Sequence, residues 1–298
     1  MKRSYIDQKN RLAENIFLHS PSIVSQEIEK KSSSYHFLTS SNTHKIGVRW
    51  YNIENLSILY QFPIFGISFC FDHVDPFDES LYPFYQDAIA YIQTLAKNQK
   101  GYYILRVPKE FPFIKSALIE KGPEYTYMDS TICYGIIPQA SHLPQKNVSK
   151  NNSTPSTKTM LRKITEESFQ NYESHYSLSP LLRPLSAEVY IEWIDTLSRA
   201  DNSAIYTHMD SSTVTGFIAT VDSLSSTDIV LNAVSPHFRQ RGIYEVLCKH
   251  VLHDSFQKSV SVVTVSTQIH NLSVQKVWQK LHFQPFHVFD LYHFHNLS

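Results

Sequence analysis

The second half of the chain alternates between two hydrophobic periods. Ala204 to Met209 and Thr213 to Val221 flank the short polar stretch Asp210-Ser211-Ser212, which predicts a β-hairpin. Thr227 to Val234 predicts a third strand, closing on the apolar run Ile229 to Val234. The period then becomes helical from Ile243 to Val251. It returns to a β-branched run, Val260 to Val265, that reads as a buried strand. Asn271 is a residue type that caps helices, and Val274, Val277, Trp278 and Leu281 follow it at helical spacing. His282-Phe283 ends that helix, and Phe286, Val288 and Leu291 predict a last strand.

The first half is patterned from Lys45 onward. Ile46 to Tyr51 and Ile64 to Phe71 read as strands. Tyr82 to Lys97 reads as a helix with Phe84, Ala88, Tyr91, Ile92 and Leu95 on one side. Tyr102 to Val107 is a strand, Glu110 to Lys121 a helix with Phe113, Ala117 and Leu118 inward, and Tyr125 to Ile136 a long strand. Strand, helix, strand, helix, strand predicts an α/β (α+β) domain. Residues 1–40 carry little pattern, and Lys30-Lys31-Ser32-Ser33-Ser34 reads as a loop or frayed region. The stretch 138–158 is rich in Ser, Thr, Asn, Pro and Lys without apolar periodicity, which predicts a flexible linker. It divides the chain into domains at 1–137 and 159–298.

Composition narrows the function classes. Of 298 residues, 42% are hydrophobic, enough for real cores, and 27 basic residues balance 27 acidic ones. That balance gives no global pull toward nucleic acid or anionic lipid. No apolar run approaches the ~20 residues of a membrane helix, and Met1-Lys2-Arg3-Ser4-Tyr5 is not followed by a signal core. The expectation is a cytoplasmic protein without nucleic-acid or membrane partners. The three cysteines, Cys70, Cys133 and Cys248, are too scattered for a disulfide framework or a metal site. The 15 histidines show no metal-ligand spacing, so no metal is expected.

The candidate chemistry lies in Arg239-Gln240-Arg241-Gly242-Ile243-Tyr244, between the strand ending at Val234 and the helix from Ile243. A strand feeding a short basic loop with one Gly, then a helix, is an anion-binding device. The first helical N–H groups lack internal partners, and the helix dipole adds partial positive charge. A phosphate or pyrophosphate suits such a site.

With these residues the sequence resembles the GNAT acyltransferase superfamily. Val234-Ser235-Pro236-His237-Phe238-Arg239-Gln240-Arg241-Gly242-Ile243-Tyr244 is similar to its fourth strand, acyl-CoA pyrophosphate loop (Arg/Gln-x-x-Gly-x-Gly/Ala) and following helix. Asn271 and the helix to Phe283 resemble its second conserved block, and the resemblance runs from about Met160 onward. Within the superfamily, Thr267-Gln268, Gly242-Ile243-Tyr244, His175-Tyr176, Pro180 and Tyr190 to Trp193 look like the TDP-fucosamine acetyltransferase type. The first half then resembles that type's incomplete, GNAT-like half. It lacks a phosphate loop, so substrate shaping is its expected role.

The resemblance implies acetyl transfer from acetyl-CoA to a small-molecule primary amine by direct attack, without a covalent enzyme intermediate. It assigns cofactor binding to Val234, Arg239, Gln240, Arg241, Gly242, Ile243, Tyr244 and Asn271. Asn271 is equally readable as a plain helix cap. Tyr244 stands where the motif usually has Gly or Ala, and Trp278, seven residues after Asn271, where relatives carry a Tyr that protonates the thiolate. Indole N–H donates but does not release a proton near neutral pH, so either the thiolate leaves with help from hydrogen bonds alone or another tyrosine, Tyr244 or Tyr292, is the acid, and Trp278 reads also as core. Asp129, inside a β-rich run, is the candidate base, with Glu54, Asp72, Asp75, Asp78 and His175 behind it. The acceptor is an amino-sugar nucleotide, another small amine or a peptide; a non-catalytic CoA-binding module is the further alternative, and a homodimer is left open. His282 stands where the family has a left-handed Gly; a left-handed His282 would cost roughly 1–2 kcal/mol.

Overall fold

The computed structural model describes residues 35–39, 45–72, 77–120, 125–150, 154–223 and 225–297. The expectations for Lys30 to Ser34 and for Asp75 lie outside them. In chain order the elements are β1 (Tyr35–Thr39), β2 (Lys45–Asn52), α1 (Glu54–Tyr60), β3 (Ile64–Asp72), α2 (Tyr82–Asn98), β4 (Gly101–Pro108), α3 (Pro112–Glu120), β5 (Thr126–Ile136) and β6 (Val148–Lys150). There follow α4 (Pro155–Phe169), α5 (His175–Leu178), α6 (Ser186–Leu197), β7 (Ser203–Asp210), β8 (Thr213–Asp222), β9 (Ser226–Val234), α7 (Ile243–Gln257), β10 (Val262–Gln268), α8 (Leu272–Lys280) and β11 (Gln284–Asn296).

These elements sort into two compact units that do not follow the chain. The described part of one, called here the N-unit, comprises the residues up to Ile132, with Ser174–Arg183 and the segment from His287 onward. The other, the C-unit, comprises Cys133–Glu173 and Pro184–Phe286. The division falls inside β5 and returns β11 to the N-unit, whereas the sequence pattern suggests a cut at 138–158. That stretch also departs from a free linker. Val148, Ser149 and Lys150 pair with His208, Thr207 and Tyr206 of β7, and the Gln145 amide donates to His250 Nδ1 at 3.1 Å. Edge pairing through the main chain leaves no trace in side-chain periodicity, so composition reads it as linker.

In the N-unit the sheet order is β1-β2-β3-β4-β11. β3 and β4 are parallel, with α2 between them in sequence, and β11 runs antiparallel to β4 from Phe289↔Pro108 to Asn296↔Gly101. One face of this sheet is the core: Ile46, Val48, Phe65, Ile67, Tyr103, Leu105, Val107, Tyr292 and Phe294 meet Tyr85, Ala88, Ile89 and Ile92 of α2 and Ile114, Ala117 and Leu118 of α3. The helical spacing in α2 is what aims those side chains at one face.

In the C-unit the order is β10-β9-β8-β7-β6. The predicted hairpin is β7–β8, turning at Ser211, whose φ is 54°. α8 ends as the family pattern asks. His282 takes φ 68°, its amide donates to Gln279 O (3.0 Å), and the Phe283 amide donates to Trp278 O (2.9 Å). That bond pair is a Schellman stop, normally built on Gly. A histidine there carries Cβ strain that glycine lacks, offset in part by glycine's larger backbone entropy. His282→Gly is therefore expected to raise the unfolding free energy by about 0.5–1 kcal/mol, read as a higher denaturation midpoint; an unchanged or lower midpoint refutes the strain.

Candidate acyl-CoA site

Parallel pairing between β9 and β10 runs from Ser226↔Val262 to Ile229↔Val265 and then stops. Both strands continue, β9 to Val234 and β10 to Gln268. The cause is visible on the other side of β9. Its register with β8 jumps between Leu231↔Ala219 and Ile229↔Thr220, so Val230 has no opposite residue. A bulge adds twist and bends its strand. It sits at the residue where pairing with β10 ends, while Ala233 and Val234 stay registered with Phe217 and Gly216 of β8. Between β9 and β10 the sheet is thus splayed at its carboxyl end, a place where main-chain groups are left for a ligand.

The loop after Val234 is built to stay open. Ser235 N donates to Thr215 O (3.0 Å), and Pro236–Phe238 form a single tight turn closed by Phe238 N to Ser235 O (2.9 Å). Gln240 and Gly242 are left-handed, at φ 64° and 75°. The first main-chain bond into α7 is Val246 N to Gly242 O at 3.0 Å. No main-chain acceptor among the described residues takes the amides from Arg239 to Glu245. Arg239, Gln240, Arg241 and Gly242 are exposed, and a Cβ on Gly242 would meet nothing within 4 Å. The two guanidinium groups are tied locally: Arg239 Nε donates to Val234 O (3.2 Å), and Arg241 donates to His237 O (3.4 Å) with Cζ 5.0 Å from the Phe238 ring.

Asn271 precedes α8, yet its side chain makes no capping hydrogen bond. Its Nδ2 donates to Tyr172 Oη (3.2 Å) and Thr267 Oγ1 (3.0 Å), and Tyr172 donates in turn to Gln268 Oε1. Tyr172 was not singled out by the sequence; nothing in a lone Tyr after a helix announces a partner about a hundred residues away.

Residues 160–283 match the family model described as Acetyltransferase (GNAT) family. Residues 160–283 form a GNAT domain. No curated protein matches the chain. Solved structures share the fold along most of its length. A GCN5-related N-acetyltransferase from Sphaerobacter thermophilus is similar over 91% of this chain and 85% of its own, with TM-score 0.54 and 13% identity. A GNAT-family acetyltransferase from Colwellia psychrerythraea covers 87% and 84%, with TM-score 0.53 and 8% identity. A tandem GNAT protein from the clavulanic acid biosynthesis pathway covers 88% and 84%, with TM-score 0.50 and 9% identity.

Inside the GNAT domain Trp278 is fully buried, and its indole Nε1 donates to Tyr244 Oη at 2.8 Å. Tyr134 stacks obliquely on it, centroids 5.3 Å apart, and donates to Gln275 Oε1 at 3.2 Å. Burial, with Cys248 beside the ring, holds the Tyr244 phenol well above its ordinary pKa, partly opposed by the Trp278 hydrogen bond. The position that carries an acid in relatives is thus packed core that orients Tyr244.

The remaining candidates lie in the N-unit. Asp129 is buried and accepts from the Ser130 amide at Oδ1 (2.7 Å). Tyr292 belongs to the sheet core, edge-on to Tyr127 at 5.8 Å, its pKa raised to about 12 by burial. Glu54 is exposed at the start of α1, and Asp78 caps the turn at Ser80. Asp72 ends β3. His175 joins a buried chain: its Nδ1 lies 3.0 Å from His293 Nε2, His293 Nδ1 lies 2.8 Å from Tyr102 Oη, and Tyr102 Oη lies 2.6 Å from Ser179 Oγ.

That chain fixes a pH dependence. Burial pushes His293 down to about 3, and burial first, then His293 and the Arg106 charge, push His175 well below its ordinary value. Unfolded imidazoles bind protons near pH ~6.5, so the unfolded chain holds more protons below that pH. Stability is then complete above about 6.5 and falls as pH drops toward 3. The unfolding midpoint should fall between about pH 7 and about pH 5, and fall less in His293→Gln. Equal slopes in the two proteins contradict the assignment.

Proposed function

We propose that the chain is an acyl-CoA-dependent N-acyltransferase that moves an acetyl group from acetyl-CoA to a primary amine by direct attack. The observation that carries this reading is the β9–β10 splay beside an exposed loop whose amides have no main-chain acceptor among the described residues. The amides of Arg239, Gln240, Arg241, Gly242, Ile243 and Tyr244 would hold the cofactor's pyrophosphate, as unpartnered N–H groups at a helix start do. The free edge of β9 up to Val234 would hydrogen-bond the pantetheine arm, and Asn271 would meet the cofactor through its side-chain carbonyl.

In the reaction the amine nitrogen forms a bond to the thioester carbon, the C–S bond breaks, and the sulfur leaves as thiolate while the nitrogen gives up a proton. Holding both reactants in line supplies most of the barrier reduction, roughly 7–11 kcal/mol. Asp129 is the proposed base for the amine proton. Of the two tyrosines, Tyr244 is the better supported as donor to sulfur, because Tyr292 is spent in a hydrophobic core. A phenol raised above its ordinary pKa does not readily surrender a proton to a thiolate whose own pKa is about 8.5. Tyr244 therefore acts as a hydrogen-bond donor that stabilises the departing sulfur. The amino-sugar nucleotide acceptor is supported by the sequence resemblance alone. Trp278, which cannot serve as acid, favours one second reading, a module that binds acyl-CoA without turnover.

Calorimetry with acetyl-CoA, combined with thiol release over an amine panel, separates these. Gly242→Val forces a β-branched residue into a left-handed position and is expected to weaken acetyl-CoA binding at least about tenfold. Wild-type protein that binds no acetyl-CoA ends the proposal, and binding without transfer to any amine leaves the module. Tyr244→Phe should lower kcat about 10-fold with KM for acetyl-CoA unchanged. An unaltered kcat removes Tyr244 from the chemistry.

A further inference from the structure

The sheet of the N-unit has a second face, opposite its core. There the register sets Arg49 of β2 beside Ser68 of β3, and Ser68 beside Arg106 of β4. Neighbouring strands lie about 4.8 Å apart, so the two arginines stand about 10 Å apart at the backbone with a hydroxyl between them. Positions sharing this face include Tyr51, Ile64, Gly66, Tyr102, Ile104, Leu291, His293 and His295, and Lys45 and Asp72 are registered with each other at its far end, four residues along their strands from Arg49 and Ser68. Arg106 is exposed in an otherwise buried strand and has no ion pair among the described residues.

Two further features shape the place around that row. Tyr51 lies across Gly66, where a Cβ would come within 2.5 Å of the Tyr51 Cζ, so only glycine lets the ring lie flat on the sheet. Arg49 Cζ sits 5.0 Å from the same ring, a contact that preorganises the guanidinium. The inserted segment Ser174–Arg183 is anchored on this face by the His175–His293 and Ser179–Tyr102 contacts and by Tyr60 Oη donating to Leu182 O at 2.6 Å. Within it the His175 and Tyr176 rings lie 3.9 Å apart.

We infer that the Arg49–Ser68–Arg106 row, with Tyr51 at its edge, binds an oxyanion, the carboxylate or phosphate group of a small-molecule ligand. This anion site does not rest on the transferase reading. Guanidinium forks match both oxyanions bidentately, the serine and phenol hydroxyls add donors, and Asp72 is offset by Lys45 opposite it, so the two arginines leave the face net positive. The row is assembled from three strands, which is why no basic cluster shows in the sequence.

The probes are succinate for the carboxylate source and inorganic pyrophosphate for the phosphate source, each titrated calorimetrically into the full chain. Two double variants are compared, Arg49→Gln/Arg106→Gln on the sheet and Arg239→Gln/Arg241→Gln on the loop. One probe is expected to bind wild type, to weaken at least about tenfold in the sheet variant, and to bind the loop variant as wild type does. Preference for succinate or pyrophosphate names the source. No binding of either probe, or binding untouched by the sheet variant, overturns the site. Should the double variant be unfolded by circular dichroism, Arg106→Gln alone serves, since Arg106 makes no ion pair to lose. Arg106→Lys keeps the charge without the fork and should recover only part of the affinity. None of these titrations needs acetyl-CoA, so a failed transferase reading and a failed anion site give different results.

Discussion

The end of main-chain pairing between β9 and β10 is the constraint on which the candidate site depends. Two parallel strands that stayed paired to their last residues would spend every amide and carbonyl on each other. The bulge at Val230 prevents this, because one extra residue bends β9 while its far side remains on β8. The gap that results has a helix start on one side and Asn271 on the other. A core mutation that restored pairing would close the site without touching any residue that faces it.

The polar cluster behind this gap shows how one substitution in a motif is absorbed. With Trp at 278, a large indole fills the interior and its single donor needs an acceptor. Tyr244 supplies it, from a position where a smaller residue is usual. The two departures from the family pattern thus explain each other. His282 is a third departure, and there the backbone keeps the left-handed turn and bears the strain.

Sequence reading reached some features more directly than others. α2, β7, β8 and α7 follow from periodicity, since burying one face dictates residue spacing whatever the partner is. The loop at Arg239 to Tyr244 was legible because its glycine, its basic residues and its place between strand and helix are all local. β6 and the opening of α4 were hidden inside a stretch rich in Ser, Thr and Asn. Edge pairing and a capped helix start at Thr154 need main-chain and cap groups rather than apolar spacing. Tyr172 and the Tyr102–His293–His175 chain were invisible because their partners lie far off in sequence.

By itself, then, the order of residues determined the elements, the α/β class and the exposed basic loop between strand and helix, all of which depend on neighbours within a turn or a strand. Tertiary structure decided where the strands part, which unit owns β11, what holds Tyr244, and that Arg49 and Arg106 share a row. Those outcomes rest on strand register and burial. Both are set by packing between residues that the chain keeps tens to hundreds of positions apart, and no local pattern encodes them.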